Sequence, residues 1–331
     1  MLTQSQLIQS QAIAATAQLP YGPTTCLNSI VHACQQILKT KSIYSLQTDE
    51  DGQKRMYFNQ AGHKFASSMQ ILKDCPFING RMAHAKVHPF LEGFTHFLNQ
   101  TGLIRIQPNQ ELDESFILTI MQKFKNYLLT RQYAQLTRGW DELFSESKDQ
   151  LNGYFQGLNK IVPGYDVHEL MCIYPINQDM YPRVALASQT DFAVSRDTEI
   201  TRLICQSQEN KVCGILVKRE LTIQHQLVHR YLIFTECQYI DDPSSFTNLG
   251  FIKDVKRLIE PNSRNCVGLA SNYLNGFLLS NRFIKKSPDF KEQVKRMKAY
   301  VVGTDQLIRV GGIEPTFKVL YSRYSHKLTR D

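Results

Sequence analysis

Four side chains in the second half of the chain could together break a phosphodiester bond. Glu220 lies near the end of one predicted strand. His229 and Tyr231 lie two residues apart on the next strand, and Tyr300 lies on a later helix. A phenol can attack phosphorus, while imidazole and carboxylate groups can hold a metal that polarises the phosphate. We therefore predict Tyr300 as the candidate nucleophile. His229, with Glu220 or His225, is the candidate ligand set for Mg²⁺ or Mn²⁺ if the chain is catalytic; no other cofactor is predicted.

A β-hairpin must position the first of these residues. Residues 211–221 and 227–234 are rich in β-branched and apolar residues and are separated by a short polar segment, which predicts two antiparallel strands. An apolar segment at 168–175 predicts a further strand. Cap residues and acids at 195–199 predict the start of a helix, and we expect helices around 251–259, 268–280 and 287–302.

The last of these helices has two different sides. Ser287 is the predicted N-cap, and Gly303 is the predicted end of the helix. The apolar side carries Phe290, Val294, Met297 and Val301, and the cationic side carries Lys291, Lys295 and Lys298. Tyr300 falls at the edge of the apolar side, where its ring can pack and its hydroxyl can reach a polar group.

The first half of the chain is predicted to be mainly helical. The segment 111–161 contains no proline and places Phe116, Ile120, Phe124 and Leu128 at four-residue steps, which indicates one buried helix face. Residues 43–59 predict a small hairpin. A turn signal at 162–164 marks the expected domain boundary. The prediction is an α+β protein with a mainly helical domain at 1–162 and an antiparallel sheet with packed helices at 163–331.

The charge distribution favours a polyanionic partner. The formal net charge is +8, and residues 281–331 hold 12 Lys and Arg against 5 Asp and Glu, a local excess of 12 − 5 = +7. Aromatic and basic residues also alternate between 317 and 327, a composition suited to stacking bases and touching phosphates. An unevenly charged solvated surface and a polar terminal strand are the alternatives. The predicted nucleic-acid contacts are Lys291, Lys295, Lys298, Arg309, Lys318, Arg323 and Lys327.

Other motifs exclude several classes of function. The chain has no Walker motif, G-x-G-x-x-G, G-x-S-x-G or H-E-x-x-H, and its eight cysteines include no C-x-x-C pair. The N-terminus lacks the charged and apolar regions of a secretory signal, and no segment approaches the length of a membrane helix. We expect a cytoplasmic protein with reduced thiols and no membrane partner.

The hairpin carries a family resemblance. The segment 213–234, which contains Arg-Glu, a turn and His-Arg-Tyr before an apolar run, resembles the central hairpin of the YagK/YfjJ C-terminal domain family of inovirus and prophage replication-type proteins. Ala299-Tyr-Val-Val-Gly-Thr-Asp-Gln-Leu-Ile-Arg309 resembles that family's Tyr-x-x-Lys-x-Asp-Gln segment. The residues from Phe317 to Arg323 correspond to its closing aromatic and basic segment. The resemblance covers about residues 165–325.

This resemblance implies an HUH-type fold in which paired histidines hold a metal opposite a helical tyrosine. Tyr231 replaces the second histidine of the family, and Gly303 replaces its lysine. A phenol is a poor neutral ligand and glycine supplies no cation to a phosphate. The two departures favour binding over catalysis.

A second group of histidines offers a weaker metal site. His84, His88, Glu92 and His96 recur every four residues, but Pro89 interrupts the helix that would align them. We expect these histidines to be exposed or to cap a helix. Part of the pattern would be kept only if the helix starts at Pro89.

The sequence therefore predicts a DNA-binding protein of a prophage or mobile element that resembles rolling-circle replication initiators and has a degenerate nicking site. Its expected partner is single-stranded or origin DNA. One alternative is an active, metal-dependent single-strand endonuclease with Tyr300, or less well Tyr273, as nucleophile. The other is a protein-interaction module with negligible affinity for nucleic acid.

Overall fold

The computed structural model describes residues 11, 21–40, 44–48, 50–60, 62–63, 67, 85–101, 114–176, 182–207, 211–222, 226–237, 251–259, 265–270, 276–311 and 316–323. Over these residues the chain forms seven α-helices, one 3-10 helix and ten strands. The predicted α+β class is therefore confirmed. No helix in these ranges combines the length and apolar character needed to cross a membrane.

The chain divides into two units. The N-terminal unit comprises Met1–Ser10, Pro20–Arg81 and Val87–Leu143, and the C-terminal unit comprises Gln11–Leu19, Met82–Lys86 and Phe144–Asp331. The division at Leu143 falls inside a 31-residue helix, Arg131–Ile161. The boundary expected at 162–164 instead marks the point where this helix gives way to a strand.

The N-terminal unit is mainly helical. Its elements are α1 (Tyr21–Lys39), β1 (Tyr44–Thr48), β2 (Lys54–Phe58), α2 (Pro89–Gln100), α3 (Glu114–Leu128) and the first part of α4 (Arg131–Ile161). Strand β3 (Ala85–Val87) precedes α2. The pairing of β1 with β2 confirms the predicted hairpin. Residues 129–130 separate α3 from α4, so the predicted helical segment is two helices.

Burial in α3 agrees with the predicted periodicity. Ile120, Phe124 and Leu128 are buried, while the side chain of Phe116 lies outside the described part. Phe124 packs against the α2 rings of Phe94 and Phe97, with centroid separations of 5.3 and 5.1 Å. The aromatic packing supplies a core for this unit.

The described members of the second histidine group include a helix cap and an exposed side chain, and no metal cluster is found among the described residues. His88 precedes α2, and its Nδ1 accepts a hydrogen bond from the Phe90 backbone N–H, with Pro89 in the first helical turn. His96 lies exposed one turn before Gln100 and hydrogen-bonds with it. The capping outcome is thus confirmed for His88, and His84 lies outside the described residues.

The C-terminal unit is built on an antiparallel sheet. Its strands are β4 (Gly164–Pro175), β5 (Val212–Leu221), β6 (Gln226–Glu236), β7 (Cys266–Ala270), β8 (Arg282–Ile284) and β10 (Phe317–Ser322). The order is β10-β5-β6-β4-β7, and β8 also pairs with β4. The predicted hairpin of β5 and β6 forms the centre of the sheet, where both strands are almost wholly buried.

Helices cover both faces of this sheet. One face is covered by α5 (Pro182–Ser207), on which α6 (Phe251–Ile259) packs. The other is covered by α7 (Phe290–Val302), the 3-10 helix Thr304–Gln306 and the later part of α4, whose Phe155 ring lies 5.7 Å from that of Phe234. A short strand, β9 (Ile308–Val310), follows the 3-10 helix.

Two helix predictions are wrong. Residues 266–270 form strand β7, paired with β4, where a helix at 268–280 was expected. Helix α5 begins at Pro182 and not at 195–199. In both cases the local pattern was ambiguous, and pairing or packing with distant residues determined the outcome. For α7, Asp289 and not Ser287 is the N-cap, and it makes no side-chain capping bond.

Candidate functional site

The register of the β5–β6 hairpin separates the predicted site residues. Lys218 pairs with Arg230, and Arg219 pairs with His229. Because paired residues project to the same face and successive residues alternate, Lys218, Glu220 and Arg230 share one face. Arg219, His229 and Tyr231 share the other. We call these the Tyr300 face and the Asp197 face, after the helical residue that each one contacts.

Three strand residues converge on one carboxylate at the Asp197 face. His229 Nδ1 lies 3.0 Å and the Tyr231 hydroxyl 2.7 Å from Asp197 Oδ1, while Arg219 Nη2 lies 2.9 Å from Oδ2. Asp197 comes from α5, so this cluster fixes the helix to the sheet. The geometry confirms that His229 and Tyr231 project to the same face.

Burial and hydrogen bonds together shift the pKa values in this cluster. Burial lowers the pKa of His229 despite the neighbouring carboxylate, which favours neutral imidazole. Burial alone would raise the pKa of Asp197, but the hydrogen bond from His229 and its other donors outweigh this and lower it. His229 is fully buried and its Nε2 has no hydrogen-bond partner among the described atoms.

A larger ion cluster lies on the Tyr300 face. Arg230 lies at its centre: its Nε is 2.5 Å from Glu220 Oε2 and its Nη1 is 3.1 Å from Glu169 Oε1. Lys218 Nζ lies 2.6 Å from Glu220 Oε1 and donates to the Tyr300 backbone carbonyl at 2.5 Å. The Tyr300 hydroxyl donates to Glu169 at 2.6 Å. These five residues tie α7 to strands β4, β5 and β6.

The five residues of this Tyr300-face cluster are sealed from solvent. Tyr300, Lys218 and Arg230 have no exposed surface, and burial raises the pKa of Tyr300 far above the ordinary value of a phenol. Burial raises the pKa of Glu169, whereas at Glu220 the charges of Lys218 and Arg230 outweigh burial and lower it. A neutral phenol that donates to a carboxylate is a poor nucleophile.

Asp305 is a further buried carboxyl group, and it lies near the start of β10. It accepts a hydrogen bond from the Thr316 hydroxyl, and Arg309 Nε donates to its backbone carbonyl at 2.9 Å. Burial raises the pKa of Asp305 to about 6, although Lys218 and Arg309 oppose this.

The structure does not bring together the predicted metal ligands His229 and Glu220. His229 and Glu220 lie on opposite faces of the sheet, so they cannot bind one ion together. His225 and the alternative nucleophile Tyr273 lie outside the described residues. Within the described part, no three His, Cys, Asp or Glu side chains are placed to share an ion. At Glu220, Lys218 and Arg230 already neutralise the carboxylate, so these residues do not fit a divalent cation.

The structure places the predicted nucleic-acid contacts in different environments. Lys291, Lys295 and Lys318 are exposed, and Lys298 is half-buried. Arg309 is buried and bonded to Asp305, so it cannot reach a ligand. Arg323 pairs with Glu236 and donates to the Val212 carbonyl at 3.0 Å. Lys318 pairs with Val217 and therefore projects to the Asp197 face, away from α7. Lys327 lies outside the described residues.

Four lysines lie near one another on α4 and α7. Lys291, Lys295 and Lys298 follow one side of α7, because spacings of four and three place them on successive turns. Lys298 donates to Asn152 of α4 at 2.8 Å, with its Nζ 5.9 Å from the centre of the Phe155 ring. Burial and the nearby charge of Lys148 lower the pKa of Lys298. We call Lys148, Lys291, Lys295 and Lys298 the lysine strip.

Sequence reasoning missed the residues that organise the two buried clusters. Glu169, Asp197, Lys218 and Arg230 were not predicted as site residues. The signal was present for Arg230, because strand alternation places it on the face opposite His229 and Tyr231. Asp197 and Glu169 lie more than 20 residues from their partners along the chain, and no local pattern links them.

Comparisons of this chain with protein-family models, with curated proteins and with solved structures gave no match. The family resemblance noted in the sequence therefore stays a prediction.

Proposed function

We propose that the protein binds nucleic acid and that the lysine strip contacts its phosphate backbone. The observation that carries this proposal is the hydrogen bond from Lys298 of α7 to Asn152 of α4 at 2.8 Å, which holds Lys298 about one helical turn from Lys148 and so brings cations of two helices to one surface. Bringing like charges together costs free energy. A bound polyanion would offset that cost by neutralising both charges.

The ion pairs made by nearby arginines support this assignment by contrast. Arg282 pairs with Asp166 at 2.9 Å, Arg296 with Glu292 at 3.2 Å, and Arg323 with Glu236. By contrast, Lys148, Lys291 and Lys298 have no carboxylate within ion-pair distance in the described part of the chain. Lys295 has Glu292 only at 4.0 Å. The strip is thus a local concentration of positive charge that the fold leaves largely unneutralised.

Exposed lysines continue from the strip along the chain. Lys285 and Lys286 are exposed in the turn that leads from β8 into α7. The Lys285 backbone N–H donates to the Pro163 carbonyl at 3.2 Å, which anchors this turn to the start of β4. A nucleic-acid backbone lying along α7 would meet these cations as well.

We further propose that the protein binds without cutting. A nicking tyrosine must reach a phosphate, and Tyr300 is buried with its hydroxyl committed to Glu169. Lys218 and Arg230 occupy the positions where a metal would have to meet Glu220. The role of Tyr300 and its cluster is then to hold α7, and with it the lysine strip, on the sheet.

The test compares two doubly substituted proteins. Lys291→Gln/Lys295→Gln removes two exposed charges from the strip. Lys253→Gln/Lys256→Gln removes two exposed charges from α6, which packs with α5 at the Asp197 face. We expect DNA affinity, measured by fluorescence anisotropy at low salt, to fall on the order of tenfold for the first protein and to change little for the second. Equal losses in both, or no binding by the wild type, would contradict the proposal.

A further inference from the structure

We propose that the lysine strip recognises the backbone of duplex DNA without regard to sequence, in contrast to the single-stranded partner that the sequence predicts. This inference rests on the proposed function. It concerns which form of nucleic acid the same surface accepts.

Single-strand binding depends on rings that bases can stack on, and the described C-terminal unit does not expose any. Proteins that bind single strands combine a cationic groove with accessible aromatic side chains. The exposed large apolar residues described in this unit are Ile161, Val194, Leu279 and Ile284, none of which is aromatic. Its described aromatic rings are buried or half-buried.

The segment that suggested base stacking is used for the core. Phe317 is fully buried and pairs with Lys218 on the Tyr300 face of the sheet. Tyr321 is half-buried on the same strand, and Tyr324 lies outside the described residues. With Phe317 in the core and Tyr321 half-buried, the described part of this segment presents no fully exposed ring for stacking.

The rings nearest the strip are also occupied. Phe155 lies beneath Lys298 and is buried against Phe234. It supports the ammonium group from below by a cation–π contact. Phe290, at the start of α7, is half-buried. A strand crossing the strip would meet ammonium groups and not ring faces.

The described side chains of α7 that could read base edges are paired or buried. Direct readout relies on Arg, Asn and Gln reaching into a groove. On α7, Arg296 is held by Glu292 and the Phe277 carbonyl, and Gln293 is buried. Asn152 beside the strip is bonded to Lys298. The cations that remain accessible are lysines, which act as point charges toward phosphates.

The spacing of the strip along a helix suits a regular row of phosphates. Three of the lysines lie on one helix of 13 residues, about 20 Å long, and the fourth lies on α4. A duplex presents phosphates in fixed rows, so cations spaced along a helix can meet several at once. A flexible single strand would have to be ordered on this surface without the stacking that normally offsets that loss of entropy.

The experiment measures binding of the wild-type protein to three labelled DNAs at about 50 mM salt. These are two unrelated duplexes of about 25 base pairs and one strand of the first duplex. We expect both duplexes to bind within about threefold of each other and about tenfold more tightly than the single strand. Lys291→Gln/Lys295→Gln should weaken duplex binding, whereas Lys253→Gln/Lys256→Gln should not.

The outcomes separate the two proposals. A single strand that binds as tightly as the duplexes overturns the duplex inference and leaves the proposed function standing. Unequal affinity for the two duplexes by more than about tenfold overturns sequence independence. Failure to bind any of the three DNAs overturns the proposed function itself.

Discussion

At the scale of single residues, the accessibility of Tyr300 is what distinguishes a nuclease from a binding protein. It occupies the position that the family resemblance assigns to a nucleophile, yet its hydroxyl donates to Glu169 within a cluster closed to solvent. The sequence indicated correctly that its ring would pack and its hydroxyl would reach a polar group. It did not identify that group, because Glu169 is on β4, 131 residues away.

Tyr300→Phe should lower the free energy of unfolding by about 1 to 3 kcal/mol, because it removes a hydrogen bond and leaves Glu169 with fewer partners in a buried site. Urea denaturation measures this change. Tyr321→Phe, a half-buried tyrosine on β10, should change stability by less than about 0.5 kcal/mol. DNA affinity should be the same in both. A metal-dependent covalent DNA adduct in the wild type that Tyr300→Phe abolishes would show instead that Tyr300 is a nucleophile.

Asp305 should make stability depend on pH. Burial raises its pKa to about 6 in the folded protein, above the value near 3.9 of an unfolded chain. The folded state therefore holds this proton more tightly, so stability falls as pH rises from about 4 through 6 and stays reduced above that range.

Asp305→Asn should remove this loss, because the amide does not ionise and still offers an oxygen to Thr316. We expect the difference in unfolding free energy between the variant and the wild type to rise in favour of the variant by roughly 2 to 3 kcal/mol as the pH increases from 4 to 7. Urea denaturation across this range measures the difference. A constant difference between the two proteins at all pH values would show that Asp305 has no raised pKa.

At the scale of elements, the sequence predicted local structure better than long-range pairing. The β5–β6 hairpin, the β1–β2 hairpin and helix α7 follow from patterns within 25 residues, and all three formed close to their predicted bounds. Strand β7 was predicted as helix because its five residues gain their partner from β4, almost 100 residues earlier. The same limit applied to the site. The sequence predicted that the β5–β6 hairpin forms, but it did not predict the strand register, which places Glu220 and His229 on opposite faces.

The packing of α4 on the sheet depends on a glycine in β5. A Cβ atom at Gly214 would lie 1.9 Å from the Tyr154 hydroxyl oxygen and 3.0 Å from its ring carbon Cζ. That hydroxyl is buried and has no hydrogen-bond partner in the described structure. Gly214 therefore leaves the space into which α4 inserts a tyrosine.

Gly214→Ala should cost about 1 to 3 kcal/mol of stability through this overlap. Adding Tyr154→Phe removes the overlapping oxygen and an unpaired polar atom, so the double variant should recover much of the loss. Thermal unfolding of the single and double variants measures the coupling. Purely additive effects would mean that the two residues do not share this contact.

At the scale of the whole molecule, charge is the property that connects sequence and proposed function most directly. The excess of positive charge after residue 281 was evident from composition, but which cations are accessible was not. The fold pairs Arg323 with Glu236 and buries Arg309. It leaves Lys291 and Lys295 exposed and bonds Lys298 to Asn152, one helical turn from Lys148, which lies outside the basic segment. The lysines that share this surface in the fold therefore differ from those that the sequence predicted.

The salt dependence of DNA binding tests the central claim most directly. The logarithm of the association constant should fall against the logarithm of salt concentration with a slope of about −3.6 for a duplex if the four lysines of the strip each meet a phosphate, and of about −5.4 if the two lysines of the adjoining turn do so as well. Lys291→Gln/Lys295→Gln should reduce the steepness by about 1.8. A slope near zero, or one that this substitution leaves unchanged, would contradict the account.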